Sequence, residues 1–473
     1  MQEQLQTAEG VSDTAPGVSP KVMRKVGAVS LIGNMIEFYD FFIYATAAAL
    51  VFPHIFFPAL GGSAGTVASF ATLGVAFVVR PMGSVVFGHM GDRLGRKATL
   101  VITLLMMGLA TLLVGLMPTA GQIGVAAPVL VVLLRLLQGL AAGGEWAGAV
   151  LYAAEYAPAN RRGFWSSFPP TGAGLSLAMG NFAFVLVGLF TDDKSFMSYG
   201  WRIPFLFSAV LVVVGLYIRL RTAETPIFKE HLKSGKTNRA PLGEALRSQP
   251  RQVLLAAGSV LVIHGLYFVG STYFVSYGTV KLGYSRGAVL AVVMVGGLAY
   301  SAMCLAFGRL SDTYGRRRML IVATGLGAVW AFVALPLAGT GSLAAFAVAA
   351  IGFLAVSGAG NGPLGSFSAE LYPTHYRYTA AALSYNLGSM LGSGIAPLII
   401  TSLVASLGIM SLAWFLLGVG AVSVACLFLL SETRTRKLDA GGRWGGRRGD
   451  DPAGGSRPVA GASGTYGLEQ SSK

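Results

Sequence analysis

The sequence predicts an all-α membrane protein of twelve transmembrane helices, arranged as two pseudo-symmetric six-helix bundles. Three observations carry this: twelve apolar stretches of spanning length, connections whose basic charge alternates along the chain, and motifs that recur in both halves. Composition sets the class first. Hydrophobic residues make up 54% and charged residues 12%, with a mean hydropathy of +0.64. That is about half the charge of an ordinary soluble domain. The 64 glycines suit helices packed closely in lipid, where small residues let backbones approach.

Along the chain, residues 1–25 are polar and end in Lys21, Arg24 and Lys25. They have no signal-peptide pattern and read as a cytoplasmic tail. Apolar stretches able to cross about 30 Å of hydrocarbon follow. They lie near 27–52, 66–90, 98–117, 126–153, 164–190 and 202–220, then 253–277, 287–310, 319–338, 343–369, 378–405 and 409–430. Alternate connections are basic: Arg93, Arg96 and Lys97; Arg161 and Arg162; Lys229 through Arg251; Arg316 to Arg318; Arg377. The others are nearly bare, with Lys194 in one and Lys281 and Arg286 in another. By the positive-inside rule both termini and the 221–252 linker are cytoplasmic. The expected units are bundles over 26–220 and 253–432, with a tail over 433–473. Its last part, 440–473, is rich in Gly, Ser, Pro and Arg and is expected to be disordered. The formal charge of +15 is then a topology signal, with membrane lipid and not nucleic acid as the partner. Cys304 and Cys426 sit in apolar runs without metal-ligand spacing and read as packing residues.

The repeat argues for two related halves. G-H-M-G-D-R-L-G-R-K over 88–97 matches G-R-L-S-D-T-Y-G-R-R over 308–317. Glu155, Pro158 and Arg162 match Glu370, Pro373 and Arg377 as E-x-x-P-x-x-x-R. A ladder of small residues, Gly172, Ser176 and Gly180, has its counterpart in Ser384, Gly388 and Gly392. Parallel six-helix halves around a midplane cavity are a known transporter plan.

The G-D-R-x-G-R-K turn, R-x-x-Q-G at 135–139 and the E-x-x-P-x-x-x-R loops resemble the major facilitator superfamily. Within it the chain resembles the metabolite:proton symporter family. The matching stretches are I-E-F-Y-D-F at 36–41, F-V-V-R-P-M-G at 77–83, G-G-E-W-A-G-A at 143–149, W-R-I-P-F at 201–205 and S-Y-N-L-G at 384–388. The resemblance covers about residues 25 to 435 and implies a carrier of the kind that moves shikimate, 2-oxoglutarate, citrate, proline or betaine. It also implies that the first and fourth spans line a central cavity. Two positions depart from the family pattern: Phe38 stands where Trp is frequent, and Thr313 replaces an Arg, implying a gate with its stronger charge cluster in the first half.

Charges inside the membrane need a reason, since each costs on the order of 2.5–3.5 kcal/mol on insertion scales. Glu37, Asp40, Glu145 and His264 are the candidates for proton coupling. Arg135, Gln138, Tyr44, Asn34, Trp146, Tyr267, Asn361 and Asn386 are candidates for substrate binding, with Tyr39, Tyr273 and Tyr385 as further aromatics. An arginine can hold a substrate carboxylate bidentately while a nearby acid takes a proton. The alternative for Arg135 with Glu37 or Glu145 is a buried ion pair that only holds helices. His264 is either a proton relay or a hydrogen-bonded cavity residue. A cytoplasmic gate is expected from Gly91, Asp92, Arg93, Gly95, Arg96 and Lys97 with Arg80, Glu155, Arg162, Asp312, Gly315, Arg316, Glu370 and Arg377. An aspartate at a helix end can cap a neighbouring helix N-terminus. Otherwise the basic residues simply set topology. No metal cluster, nucleophile–base pair or phosphate loop points to an enzyme, and no cofactor is expected beyond the coupling proton. The expectation is a monomeric proton-coupled symporter of a small mono- or dicarboxylic acid. The alternatives are a carrier of a zwitterion such as proline or betaine and an uncoupled facilitator.

Overall fold

In lipid every backbone N–H and C=O must find its partner within the protein, so each apolar stretch closes into helix. The computed structural model describes residues 20–94, 96–221, 241–373, 376–436 and 438. Its spans are α1 Pro20–Leu50, α2 Gly62–Leu94, α3 Arg96–Leu116, α4 Ala126–Tyr156, α5 Ala159–Phe190 and α6 Arg202–Arg221. In the second half α7 is Pro250–Lys281, α8 Arg286–Tyr314, α9 Arg316–Ala338, α10 Leu343–Leu371, α11 Arg377–Leu407 and α12 Met410–Leu429. Among the described residues eleven are long and apolar enough to cross a membrane, while in α3 the apolar part is the shorter Val101–Leu116. Several helices run past the hydrophobic stretch: α1 starts at Pro20 where hydropathy places the span near 27. Once outside hydrocarbon, a helix continues for as long as its polar side chains are solvated. The N-terminal tail, residues 222–240 of the linker and all but the start of the C-terminal tail lie outside the described residues, while Pro241–Ser248 forms a short helix before α7.

The repeat is visible in the packing. α1 lies against α5 as α7 lies against α11; α2 against α4 as α8 against α10; α3 against α6 as α9 against α12. The halves meet through α5 on α8 and through α2 on α11, a pair that also exchanges under the six-helix offset. Small residues set both seams. A methyl built on Gly74 of α2 would lie 2.7 Å from the Gly394 carbonyl of α11, and one on Gly174 of α5 would lie 2.7 Å from the Gly297 carbonyl of α8. Side chains there would push the halves apart by overpacking. The small-residue ladders serve the interfaces within each half: Ser176 donates to the Met35 carbonyl of α1, and Gly388 abuts the Ala257 carbonyl of α7. Leu109, Val213, Val329 and Phe428, on α3, α6, α9 and α12, stay exposed and face lipid.

Among the described residues four spans depart from regular geometry, α5 by a 3₁₀ turn at Ala159–Arg161 and a break at Ser167. α4 breaks at Gly143–Gly144. α7 widens into π-helical turns at Val269–Tyr273 and Tyr277–Lys281, and α11 does so at Met390–Ile395. Such turns are frequent at functional sites because they re-aim side chains within a helix. Two of them, at Val269–Tyr273 and Met390–Ile395, carry cavity residues.

Candidate functional site

Between the halves lies a cavity of about 50 Å³, lined from α1, α2, α4 and α5 on one side and from α7, α8, α10 and α11 on the other. By that measure it holds roughly three or four waters. Its walls are largely aromatic, and the Trp146 and Tyr385 rings stack across the halves with centroids 3.6 Å apart. Phe42 meets Tyr267 across the same seam at 5.6 Å.

The polar groups on this wall are few and convergent. Asn34, Arg80, His264, Tyr267, Ser389 and Asn361 all line it. Asn34 donates to the Pro169 carbonyl at 2.5 Å, which aims its own carbonyl oxygen elsewhere, and that Oδ1 is buried without a partner among the described residues. His264 Nδ1 contacts the Val260 carbonyl at 2.9 Å, and Nε2 has no hydrogen-bond partner among the described residues. Arg80 Nε, the Tyr267 hydroxyl and Ser389 Oγ are likewise buried without hydrogen bonds among the described residues. The Arg80 guanidinium lies over the Phe77 ring at 4.3 Å and the Phe41 ring at 5.3 Å. Leaving five buried polar atoms unpaired costs about 1–3 kcal/mol each unless something else bonds them. Few precisely placed polar groups in an apolar pocket are the usual anatomy of a ligand site.

Arg135 is elsewhere. The helical spacing that puts it on one face with Gln138 brings the two together, Nη1 donating to Gln138 Oε1 at 2.8 Å, and Gln138 donates onward to Thr111 at 2.7 Å. The guanidinium lies 3.8 Å over the Tyr44 ring, whose hydroxyl bonds Thr72 at 2.7 Å. Arg135 is thus packed inside the first half, off the cavity wall, with Nε and Nη2 without hydrogen bonds among the described residues. Neither the expected pair with Glu37 nor that with Glu145 forms. Helical spacing assigns a face, and here α1, α2 and α3 cover that face. Tyr39 also turns away, donating to the Pro204 carbonyl at 3.0 Å, and Tyr273 stacks on Tyr277 at 5.9 Å.

The acids form their own group. Glu145, at the start of the second segment of α4, pairs with Arg219 of α6 at 2.9 Å and accepts from Thr103 of α3 at 3.0 Å. Glu37 lies beside Glu145, with Arg219 and Arg80 as its charged neighbours, and Asp40 lies beside Thr111 and Glu145. Arg219 has no counterpart in the sequence expectations, since at a span end it reads as a topology charge.

Toward the end of the bundle where α1 begins and α12 ends, the halves are joined by polar contacts. Asn386 of α11 donates to Ser84 at 2.7 Å and to the Gly143 carbonyl at 2.9 Å, and Tyr378 donates to the Gly144 carbonyl. This places Asn386 at the helix seam and not on the cavity wall. Asp312 accepts from the Gly163 and Phe164 backbone N–H groups at 2.7 and 2.9 Å, capping the helix turn Arg162–Ser166 in the other half. The two E-x-x-P-x-x-x-R repeats pair reciprocally. Arg162 bonds Glu370 at 2.9 Å, and Arg377 approaches Glu155 at 3.7 Å. Arg316 adds bonds to Asp312 at 2.9 Å and to Glu370 at 3.3 Å. Glu155 therefore faces Arg377 of the other half.

The segment after α12 closes over this cluster, which the sequence had offered only as the start of a tail. Glu432 accepts from the Arg316 and Arg317 backbone N–H groups at 2.8 and 3.2 Å, capping α9 where Gly315 has φ +104°. Thr433 donates to Glu370 at 2.8 Å, Arg162 reaches the Arg436 carbonyl and Arg377 that of Leu438. Burial pulls the Arg436 guanidinium below its ordinary value, against Glu370 and Glu432, which favour its charged form. At the position where Thr313 departs from the family pattern, Arg434 supplies a guanidinium to the Thr313 carbonyl. The first-half turn, with Gly91, Asp92, Arg93, Gly95, Arg96 and Lys97, lies outside the described residues as far as its side chains are concerned, so the expected asymmetry has no counterpart to be weighed against.

Residues 31–388 match the profile of the Major Facilitator Superfamily. The chain is 43% identical over 420 residues to the inner membrane metabolite transport protein YhjE of Escherichia coli K12, covering 88% of this chain and 95% of that protein. It is 37% identical over 396 residues to the shikimate transporter of the same organism, covering 80% and 88%. To the E. coli K12 proline/betaine transporter it is 31% identical over 428 residues, covering 88% and 85%. Among solved structures, the proton:xylose symporter XylE bound to 6-bromo-6-deoxy-D-glucose superposes with a TM-score of 0.71 at 16% identity, covering 89% of this chain and 99% of that one.

Proposed function

The chain belongs to the Major Facilitator Superfamily and is a multi-pass transport protein, and we propose that it carries a small organic acid together with a proton across the inner membrane by alternating access. The observation that supports this reading best is the cavity between the halves, where Arg80 and four other buried polar groups present unpaired atoms to one space. Arg80 is the cation on that wall and would hold the substrate carboxylate as a bidentate fork. Asn34, His264 and Tyr267 would then bond the remaining polar groups of the substrate. The similarity to a shikimate transporter points the same way.

Glu37, beside both Arg80 and Glu145, is the proposed proton carrier, with Asp40 next to it. A proton there neutralises the excess acid as the substrate's own charge arrives at Arg80. The basic end is the cytoplasmic face in this proposal, with both termini inside. There the reciprocal pairs Arg162–Glu370 and Arg377–Glu155 and the Asp312 cap act as the gate that opens when the halves rock. With room for only a few waters, the cavity must widen before a shikimate-sized molecule enters.

A second reading has its own support. The cavity is ringed by Phe38, Phe41, Phe42, Phe77, Trp146 and Tyr385, and aromatic faces attract quaternary ammonium groups. A betaine would place its carboxylate at Arg80 and its cation among these rings, in line with the similarity to a proline/betaine transporter. Proteoliposome uptake of labelled shikimate, 2-oxoglutarate, citrate, proline and betaine, with and without an inward proton gradient, separates the readings. Gradient-driven accumulation of an acid supports the first; accumulation of betaine alone replaces it with the second. Uptake that only equilibrates makes the protein a facilitator.

A further inference from the structure

The buried acids near Glu37 have a partner that neither reading needs for substrate binding. Arg219, two residues before the end of α6 at Arg221, reaches inward so that its Nη2 lies 2.9 Å from Glu145 Oε1. Its side chain is 16% exposed and that of Glu145 1%, so the pair joins a wetter end to a dry interior. Thr103 donates to the same Glu145 oxygen at 3.0 Å, while Glu145 Oε2 is buried without a hydrogen bond among the described residues. Among the described residues, the charged groups facing this spot come from four helices: Glu37 and Asp40 from α1, Arg80 from α2, Glu145 from α4 and Arg219 from α6, with Thr103 the polar contact from α3 and Tyr385 of α11 the further titratable group beside Glu37 and Arg80. Arg135 is turned to Gln138 and Tyr44. Among the described residues, three carboxyls face two guanidiniums, a set that is neutral with one proton bound. Two adjacent carboxyls cannot both ionise cheaply, and a cation beside one of them decides which stays charged.

We infer that Arg219 is a positioning residue for the proton: it holds Glu145 as the anion, so that the proton of the Glu37–Glu145 pair resides on Glu37, facing the substrate anchor Arg80. This rests on the proton-coupled reading above. The proton arrives on Glu37 from the far side with substrate and leaves to water at the basic end, and Arg219 keeps Glu145 from competing for it. Arg219 touches neither substrate nor the transferred proton.

The test is the pH dependence of uptake in proteoliposomes. Removing the cation in Arg219→Gln lets the pair bind its proton more tightly, moving the midpoint of proton-dependent uptake upward by roughly one pH unit. Removing the anion in Glu145→Gln relieves repulsion on Glu37 and moves the midpoint the other way. Arg219→Lys, which keeps the charge, stays near the parent midpoint. A merely structural role would lower the maximal rate and the yield of folded protein with the midpoint unchanged. If Arg219→Gln transports with the parent midpoint, or if it fails to fold and Glu145→Gln leaves the midpoint unmoved, the inference is overturned. If the parent protein itself shows no proton dependence, the coupling reading falls and this inference falls with it.

Discussion

Glu370 offers the sharpest perturbation of the proposed gate. Its side chain is fully buried, and its two oxygens take Arg162 at 2.9 Å, Arg316 at 3.3 Å and Thr433 at 2.8 Å. Glu370→Gln keeps the shape and removes the charge. Arg316 retains Asp312 at 2.9 Å, so Arg162 alone loses its acid. Leaving one buried charge unpaired costs about 3–5 kcal/mol, and the surviving Asp312 contact argues for the lower end. A 3 kcal/mol penalty on the closed arrangement shifts the balance toward opening at this end by about a hundredfold. Labelling at Ser389→Cys reads that balance, since Ser389 lines the cavity, in a background with Cys304→Ala and Cys426→Ala. A membrane-impermeant maleimide, offered to inverted vesicles, should react at least tenfold faster in Glu370→Gln. Adding Arg162→Gln removes the uncompensated charge and should return the rate toward the parent. Unchanged labelling in a well-folded Glu370→Gln protein would refute the view that this cluster holds the end closed.

Four further outcomes are expected. Arg80→Lys keeps the charge and loses the fork, so the Michaelis constant for the carboxylate should rise at least about tenfold, as expected for a charge-assisted bond of 1.5–3 kcal/mol. Arg135→Ala should lower the yield and melting temperature while leaving that constant within about threefold; the opposite pattern would restore Arg135 as the anchor. Glu37→Gln and Asp40→Asn should abolish proton-driven accumulation while sparing counterflow exchange, and unchanged accumulation in both would move the proton site to other groups. Gly83→Ala would drive a methyl into the Leu140 backbone at the α2–α4 contact; a destabilisation of about 1–3 kcal/mol is expected, read as a lower melting temperature in detergent.

Much of the architecture is legible in the residues because lipid leaves the backbone so few options. Apolar runs must be helices, and the matched motifs at Gly88–Lys97 and Gly308–Arg317 imply the offset that the helix pairings then follow. The E-x-x-P-x-x-x-R repeats name the residues of the proposed gate but not their pairing across the halves, since a repeat carries no information on which copy faces which. Arg135 and Arg80 show the limit more plainly. Both are intramembrane arginines, and spacing along one helix tells only which residues share a face. Whether that face meets Tyr44 or the cavity depends on how the helix is rotated in the bundle, a property of all its neighbours together. Arg219 and Glu432 go unnoticed for another reason. At helix ends a charge is usually solvated, and only the fold shows Arg219 reaching back to Glu145 and Glu432 capping α9. The one hint for Glu432 is its being a lone acid ahead of the basic run Arg434–Lys437.

The central claim, that an organic acid and a proton move together, is tested most directly by following the lumen of proteoliposomes with a trapped pH dye. The inside and outside start at one pH with no membrane potential, and unlabelled shikimate is added outside. The account predicts that the lumen acidifies as substrate enters, that protein-free vesicles do not respond, and that Glu37→Gln silences the signal while labelled shikimate still exchanges. Substrate entry with a constant lumen pH in the parent protein would contradict it.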